Sequence, residues 1–139
     1  MLTETQDAAK KDPIDLSTLV VPEDAIVMDV IHPRTKEKIA EIDLVSQESS
    51  LPSTIATRQT NRRLRVNPWA LKKPVTKEEM EDEALDVLIA CTKGWRGIDW
   101  DGQPLPCTPE NVRMLYTRLP WLRREVGQFT GELSNFLPE

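Results

Sequence analysis

His32, Cys91 and Cys107 are the imidazole and thiol groups of this chain, the side chains best suited to nucleophilic or zinc-ligating chemistry. One histidine and two cysteines do not make a four-ligand zinc set at any standard spacing. A cysteine nucleophile needs an imidazole oriented by a third group, and no such shell is readable around either thiol. The chain has no glycine-rich phosphate loop and no helical His-Glu metal motif. The expectation is therefore a non-enzymatic protein with no catalytic residue, no metal ligand and no cofactor. Cys91 falls on an apolar helical face and reads as a small buried hydrophobe. Met1 to Pro13 carries no apolar signal region, and no stretch approaches the roughly 18 apolar residues of a membrane helix. Both thiols are expected to stay reduced in a cytoplasm.

Charge placement says more. Between Ser49 and Lys77 the ionised residues are Arg58, Arg62, Arg63, Arg65, Lys72, Lys73 and Lys77, all basic; Glu78, Glu79, Glu81, Asp82, Glu83 and Asp86 follow directly. The plainest meaning is two solvated faces, with acids in the first turn of a helix complementing its dipole. A second is self-association: the basic segment of one copy meets Glu79 and Glu83 of the next, head to tail, giving rings or spirals. A third is contact of Arg58, Arg62, Arg63 and Arg65 with nucleic acid. The net charge of −5 and pI near 5.0 weigh against the third, since nucleic-acid binders are usually basic.

Aromatic groups are the other interaction candidates. Trp95 and Trp100 fall in an expected loop, 94–107, rich in Gly, Pro and Asp, and Trp121 follows Pro120. Tryptophans so placed either plug a core or form a binding face. Trp95, Ile98, Trp100 and Trp121 are the candidate contacts for a client or a second copy.

These residues need a scaffold. At 139 residues the chain is about one domain. It can bury roughly two-thirds of its unfolded surface without a staple. Residues 1–24 read as a flexible polar lead-in, with Leu16, Leu19 and Val20 able to dock on a partner or, as the plainer reading, to cover a nearby core edge. Residues 25–45 read as a β-hairpin. Ile39, Glu41 and Asp43 alternate with Ala40, Ile42 and Leu44, and Pro33 sits in the turn. Residues 49–75 form the basic segment. Ser50 is a candidate cap, a thinly apolar helix spans 52–64, and Asn67-Pro68-Trp69 and Lys73-Pro74 act as breaks. A capping box at Thr76 and Glu79 opens a helix over 76–93, with the stripe Met80, Ala84, Val87, Leu88, Cys91 and Gly94 as its stop. Thr108-Pro109 opens a third helix carrying Val112, Leu115, Tyr116 and Leu119. Pro120 starts a fourth carrying Leu122, Val126, Phe129, Leu133 and Phe136. The expected fold is α+β, mainly α: one N-terminal β-hairpin packed on three to four helices, in a single domain over 25–139. Met80, Val87, Leu88, Leu115, Leu122, Val126 and Phe129 are the expected core.

This order of features resembles the tail assembly chaperones of long-tailed (siphovirus-type) bacteriophages, the small proteins encoded just before the tape measure protein. The resemblance rests on several matching parts. They are the hairpin with its Pro33-Arg34-Thr35-Lys36 turn, the basic stretch ending Thr60-Asn61-Arg62-Arg63-Leu64, and Gly94-Trp95-Arg96-Gly97-Ile98 with Gly102. Cys107-Thr108-Pro109-Glu110-Asn111 then leads to Leu119-Pro120-Trp121-Leu122, Val126, Phe129 and Phe136. It covers the chain from about residue 25 onward. It implies a mainly helical, non-enzymatic homo-oligomer, for which a ring or a spiral is the expected arrangement. It further implies that the protein coats the tape measure protein and recruits subunits of the major tail tube protein. Its place would be the cytoplasm of the bacterial host, not the mature virion; many members of that family are also made in a longer, frameshifted form. The alternative from another class is a small nucleic-acid-binding accessory protein using the Arg58–Arg65 cluster.

Overall fold

The computed structural model describes residues 13–66 and 76–137. The expected breaks at Asn67-Pro68-Trp69 and Lys73-Pro74 and the cations Lys72 and Lys73 lie outside those residues. After a short 3-10 turn at Leu16–Leu19 come strands β1 (Ile26–Ile31) and β2 (Lys38–Leu44) and helices α1 (Ser50–Val66) and α2 (Lys77–Cys91). Strand β3 (Thr92–Arg96) follows without a break, then the two-residue strands β4 (Asp99–Trp100) and β5 (Gln103–Pro104). Helices α3 (Pro109–Arg118) and α4 (Pro120–Gly131) and a 3-10 turn at Leu133–Asn135 complete it. The fold is α+β and mainly α, as its sequence predicts.

Alternation in β1 and β2 sets the sheet. Met28 lies opposite Ile42 and Val30 opposite Ala40, so these four side chains share the inner face and are buried. The turn between the strands is held by the lone histidine. His32 Nδ1 accepts from the amides of Arg34 and Thr35, each at 3.1 Å, while the His32 carbonyl takes the Lys36 amide at 2.9 Å. That is a structural use of the imidazole.

The hairpin is not alone. The helix that begins at Thr76, whose hydroxyl accepts from the Glu79 amide at 3.1 Å, ends at Cys91 and not at Gly94. Thr92 to Arg96 then pair antiparallel with β2, giving a three-stranded sheet in the order β1-β2-β3. Gly94 is thus a strand residue, and the left-handed turn falls at Gly97, φ 80°. A Cβ on Gly97 would stand 3.2 Å from the Ile39 carbonyl, so chirality and space both call for glycine there. Pairing explains the early helix end. A free β2 edge leaves a row of unpaired amides and carbonyls, which β3 fills. The segment expected to be a loop over 94–107 is therefore half strand.

Helix α2 also turns a different face inward. Leu85, Leu88, Ala90 and Cys91 are buried, whereas Met80 is 60% exposed, Ala84 is exposed and Val87 is half-buried. The hydropathy stripe misses this because α2 is flanked on several sides, by α1, α3 and α4. Its first turn, with Met80, runs past the packed region. Leu115, Leu122 and Val126 are core as expected. Phe129 is only half-buried and stacks edge-on against the buried Phe136 at 5.5 Å. Helix α4 stops at Gly131, so Phe136 returns to the core through the 3-10 turn and not along one helix.

Ser50 lies inside the first turn of α1 and is no side-chain cap. Its amide donates to the Glu23 carboxylate, at 3.2 and 3.1 Å to the two oxygens. An acid at a helix N-terminus suits the dipole. Leu16 and Val20 cover no core edge: they are 72% and 69% exposed.

Candidate functional site

The basic and acidic runs meet within one chain. Helix α1 packs on α2, and the Arg63 guanidinium pairs with the Glu83 carboxylate. Gln59, buried between the helices, donates to the Glu83 carbonyl at 3.0 Å. Arg113 of α3 bridges Asp82, at 3.0 Å, and Asp86. Arg123 of α4 reaches the Glu81 carbonyl at 2.8 Å. Three acids of α2, Asp82, Glu83 and Asp86, are therefore paired with cations from α1 and α3, while α4 reaches only a backbone carbonyl of α2. Glu79 stays exposed in the first turn.

Arg58 and Arg62 face elsewhere. With Leu51 and Ile55 they fall at helical spacing, one stripe of α1 that is rotated away from the Pro52, Gln59 and Arg63 face packed on α2. Both arginines are exposed. Arg65 is on the same helix. The lower half of the stripe, Leu51 and Ile55, forms one wall of an open groove of about 720 Å³. Asp86, Ile89 and Lys93 from α2 and β3, and Pro109, Glu110 and Arg113 from α3, are among its other lining residues.

The three candidate tryptophans separate into two roles. Trp95 lies opposite Ile42 in the sheet register, and its indole N–H donates to the Leu105 carbonyl at 2.7 Å. It packs against the core and fastens the β4–β5 hairpin to the sheet. Trp100 and Trp121 instead come together, 21 residues apart in sequence, around an open apolar cleft of about 160 Å³. Ile39, Ile98 and Leu119 are among its other lining residues, together with the core side chains Val30, Leu115 and Leu122. The Arg118 guanidinium sits 5.7 Å from the Trp100 ring centre, within cation–π range. Both rings are half-buried, so they neither plug the core fully nor stand free. Sequence reasoning named both tryptophans. It missed Ile39, whose outward position in β2 was readable, and Leu119, which reads there as core.

Burial disfavours the thiolate form of both cysteines. Burial pushes the Cys91 thiol up to about 12 and raises Cys107 as well. Burial likewise raises the Tyr116 phenol, opposed by its 2.7 Å hydrogen bond to the Thr92 hydroxyl. That hydroxyl also bonds the Leu88 carbonyl at 2.9 Å, so Tyr116 ties α3 to the residue where α2 becomes β3. Among the described residues, no group of three or more His, Cys, Asp and Glu side chains is placed to hold a metal ion.

On the outer face of the sheet a charge ladder runs across all three strands. Lys38 reaches Asp29 at 3.4 Å and Glu41 at 2.6 Å, and Arg96 reaches Glu41 and both oxygens of Asp43 at 2.9 Å. Among the described residues, no helix is long and apolar enough to cross a membrane. Comparison with protein-family models, with curated proteins and with solved structures finds no match.

Proposed function

We propose that this chain is a non-enzymatic tail assembly chaperone of a long-tailed phage or prophage. It self-associates and holds the amphipathic helices of a tape measure protein while tail tube subunits are recruited. The observation that supports this most is the open aromatic cleft built by Trp100 and Trp121 with Ile39 and Ile98. A shallow apolar notch beside a cation suits single apolar side chains of a helix presented in series, not a buried small molecule. Repetition of such weak contacts along a long client supplies avidity. The client needs it because exposed apolar stripes aggregate. The place of action is the host cytoplasm, and finished virions lack the protein.

Co-expression of the long helical protein encoded downstream tests this. The client stays soluble with the chaperone and precipitates without it. Equal solubility in both cases overturns the reading. If the client needs the chaperone but tolerates Trp100→Ala and Trp121→Ala in a folded chain, only the assignment of the cleft fails. Mass spectrometry of purified virions tests the expected absence. One observation favours nucleic acid as a second reading, namely the exposed pair Arg58 and Arg62. Binding to duplex DNA that falls steeply with salt would support it.

A further inference from the structure

Helix α1 is 17 residues long, yet the buried core cluster, which runs from Met28 of β1 to Val126 of α4, holds no side chain of it. Its first turn is rooted. Pro52 is fully buried, and the Glu23 carboxylate takes the Ser50 amide. Just before the helix, the Gln47 carbonyl accepts from Ser53 Oγ at 3.3 Å, while its side-chain amide donates to Thr130 Oγ1 of α4 at 2.9 Å. Beyond Ser53 the hold is different. Among the described side chains there, Gln59 alone is buried, and Ile55 and Arg63 are half-buried. Gln59 and Arg63, one helical turn apart on the same face, both grip Glu83 of α2. Gln59 Nε2 donates to its main-chain carbonyl at 3.0 Å, and the Arg63 guanidinium pairs with its carboxylate. A cleft also opens along each flank of α1. Leu51 and Ile55 border the groove of about 720 Å³ with Ile89, and Ala56 shares a cleft of about 260 Å³ with Ala84, Val87 and Leu88 of α2 and Gly127 of α4.

We propose that α1 beyond Ser53 is a strap, hinged at its rooted first turn and fastened by Glu83, that lifts from α2 as a unit while the sheet and helices α2 to α4 stay folded. A segment with few buried apolar contacts opens at a free energy below that of global unfolding. Apolar packing spread along α1 would tie its release to loss of the core, whereas two polar donors on one residue do not. The core does not need the strap, because its buried side chains all come from the sheet and from α2, α3 and α4. Release joins the two flanking clefts into one face of α2 through Ala84, Val87, Leu88 and Ile89. Met80, 60% exposed, already stands at the end of that face. The apolar stripe that hydropathy marks on α2 is thus partly covered when the strap is closed and continuous when it is open. The strap goes beyond the chaperone reading and does not depend on it.

Native-state amide exchange of the full-length chain tests it, with Glu83→Gln and Gln59→Ala as variants. Amides from Ala56 to Leu64 exchange together, at least about tenfold faster than those of α3 and β2. Each variant speeds that whole set by about tenfold, the scale of one lost hydrogen bond to a charged or buried group, and leaves α3 and β2 unchanged. Amides of α1 that open only together with α3 and β2 overturn the proposal, as do variants that speed every element alike or none. Exchange graded towards the C-terminal end, with Glu83→Gln felt only in the last turn, is fraying and overturns it too. A thiol placed beneath the strap gives a second readout. Val87→Cys, at a half-buried position, is labelled by a bulky maleimide about tenfold faster once Glu83→Gln is added, and mass spectrometry of peptides separates it from Cys91 and Cys107. An equal rate with and without Glu83→Gln overturns the proposal. Should Gln59→Ala unfold, the Glu83→Gln and Val87→Cys results decide. A client that is soluble without any chaperone rejects the chaperone reading and leaves the strap standing; exchange of α1 with the core rejects the strap and leaves that reading standing.

Discussion

Arg96 of β3 grips Asp43 of β2 with both terminal nitrogens, Nη1 to Oδ2 and Nη2 to Oδ1, each at 2.9 Å. The two residues are 53 apart in sequence, and the fork joins the strand that the sequence hides to the hairpin that it reveals. The Arg96 hydrogen bonds hold the Asp43 carboxyl below its ordinary value of 3.8, and the Lys38 bond, followed by that of Arg96, holds Glu41 below 4.5. Folded values below unfolded ones mean that the stabilisation is complete above about pH 5 and fades as pH falls through the folded pKa values. Asp43→Asn should lower the melting midpoint at pH 7 and flatten its fall between about pH 5 and pH 2. A variant whose acid slope matches that of the unaltered chain would show that the ladder does not couple to folding.

Trp95→Phe keeps a ring over the sheet but removes the N–H that meets Leu105. Loss of one hydrogen bond that leaves a carbonyl partly unpaired should lower stability by about 1–2 kcal/mol. Amide exchange should speed up first at Leu105, whose own N–H bonds the Ile98 carbonyl at 3.0 Å. Uniform acceleration across the chain would mean that Trp95 supports the whole core and not this hairpin.

The turned face of α2 makes a paired prediction. Leu88→Ala should cost about 2–5 kcal/mol, because Leu88 is 5% exposed and its removal leaves a cavity. Met80→Ala should stay within about 0.5 kcal/mol, as surface changes usually do. Denaturant titration separates the two, and a large loss at Met80 would place that side chain in an interface. Phe129→Ala should fall below the roughly 3–5 kcal/mol of a fully buried ring, and Phe136→Ala should reach that range.

Cys91 and Cys107 should differ towards a thiol reagent at pH 8. Cys91, buried with a thiol pKa pushed up to about 12, should be labelled only on unfolding. Cys107, half-buried, should react slowly in the folded chain. Mass spectrometry of labelled peptides gives the order, and prompt labelling of Cys91 would reveal local opening at the α2–β3 junction.

The elements that the sequence by itself determined are those whose reasons are local. The alternation of Ile39 to Leu44 needs one buried face, Thr76 and Thr108 each supply a cap oxygen three residues before a waiting amide, and Pro109 and Pro120 suit only a first helical turn. Tertiary structure decided what depends on a partner far along the chain. Thr92 to Arg96 carry no strand pattern, and they leave helical form because β2 has an edge to satisfy. Glycine at 94 fits that pairing, with Asp43 Oδ2 only 3.2 Å from where a Cβ would stand. The buried side of α2 followed from being flanked by three other helices, which hydropathy along one helix cannot encode. Trp100 and Trp121 were visible as candidates, but only packing of the β4–β5 hairpin against α3 and α4 brings them to one cleft. The opposite charges of α1 and α2 were equally plain in the sequence. That Arg63 meets Glu83 inside one chain, while Arg58 and Arg62 face out, depends on the rotation of α1 about its own axis. That rotation is set by the buried contacts of Pro52 and Gln59.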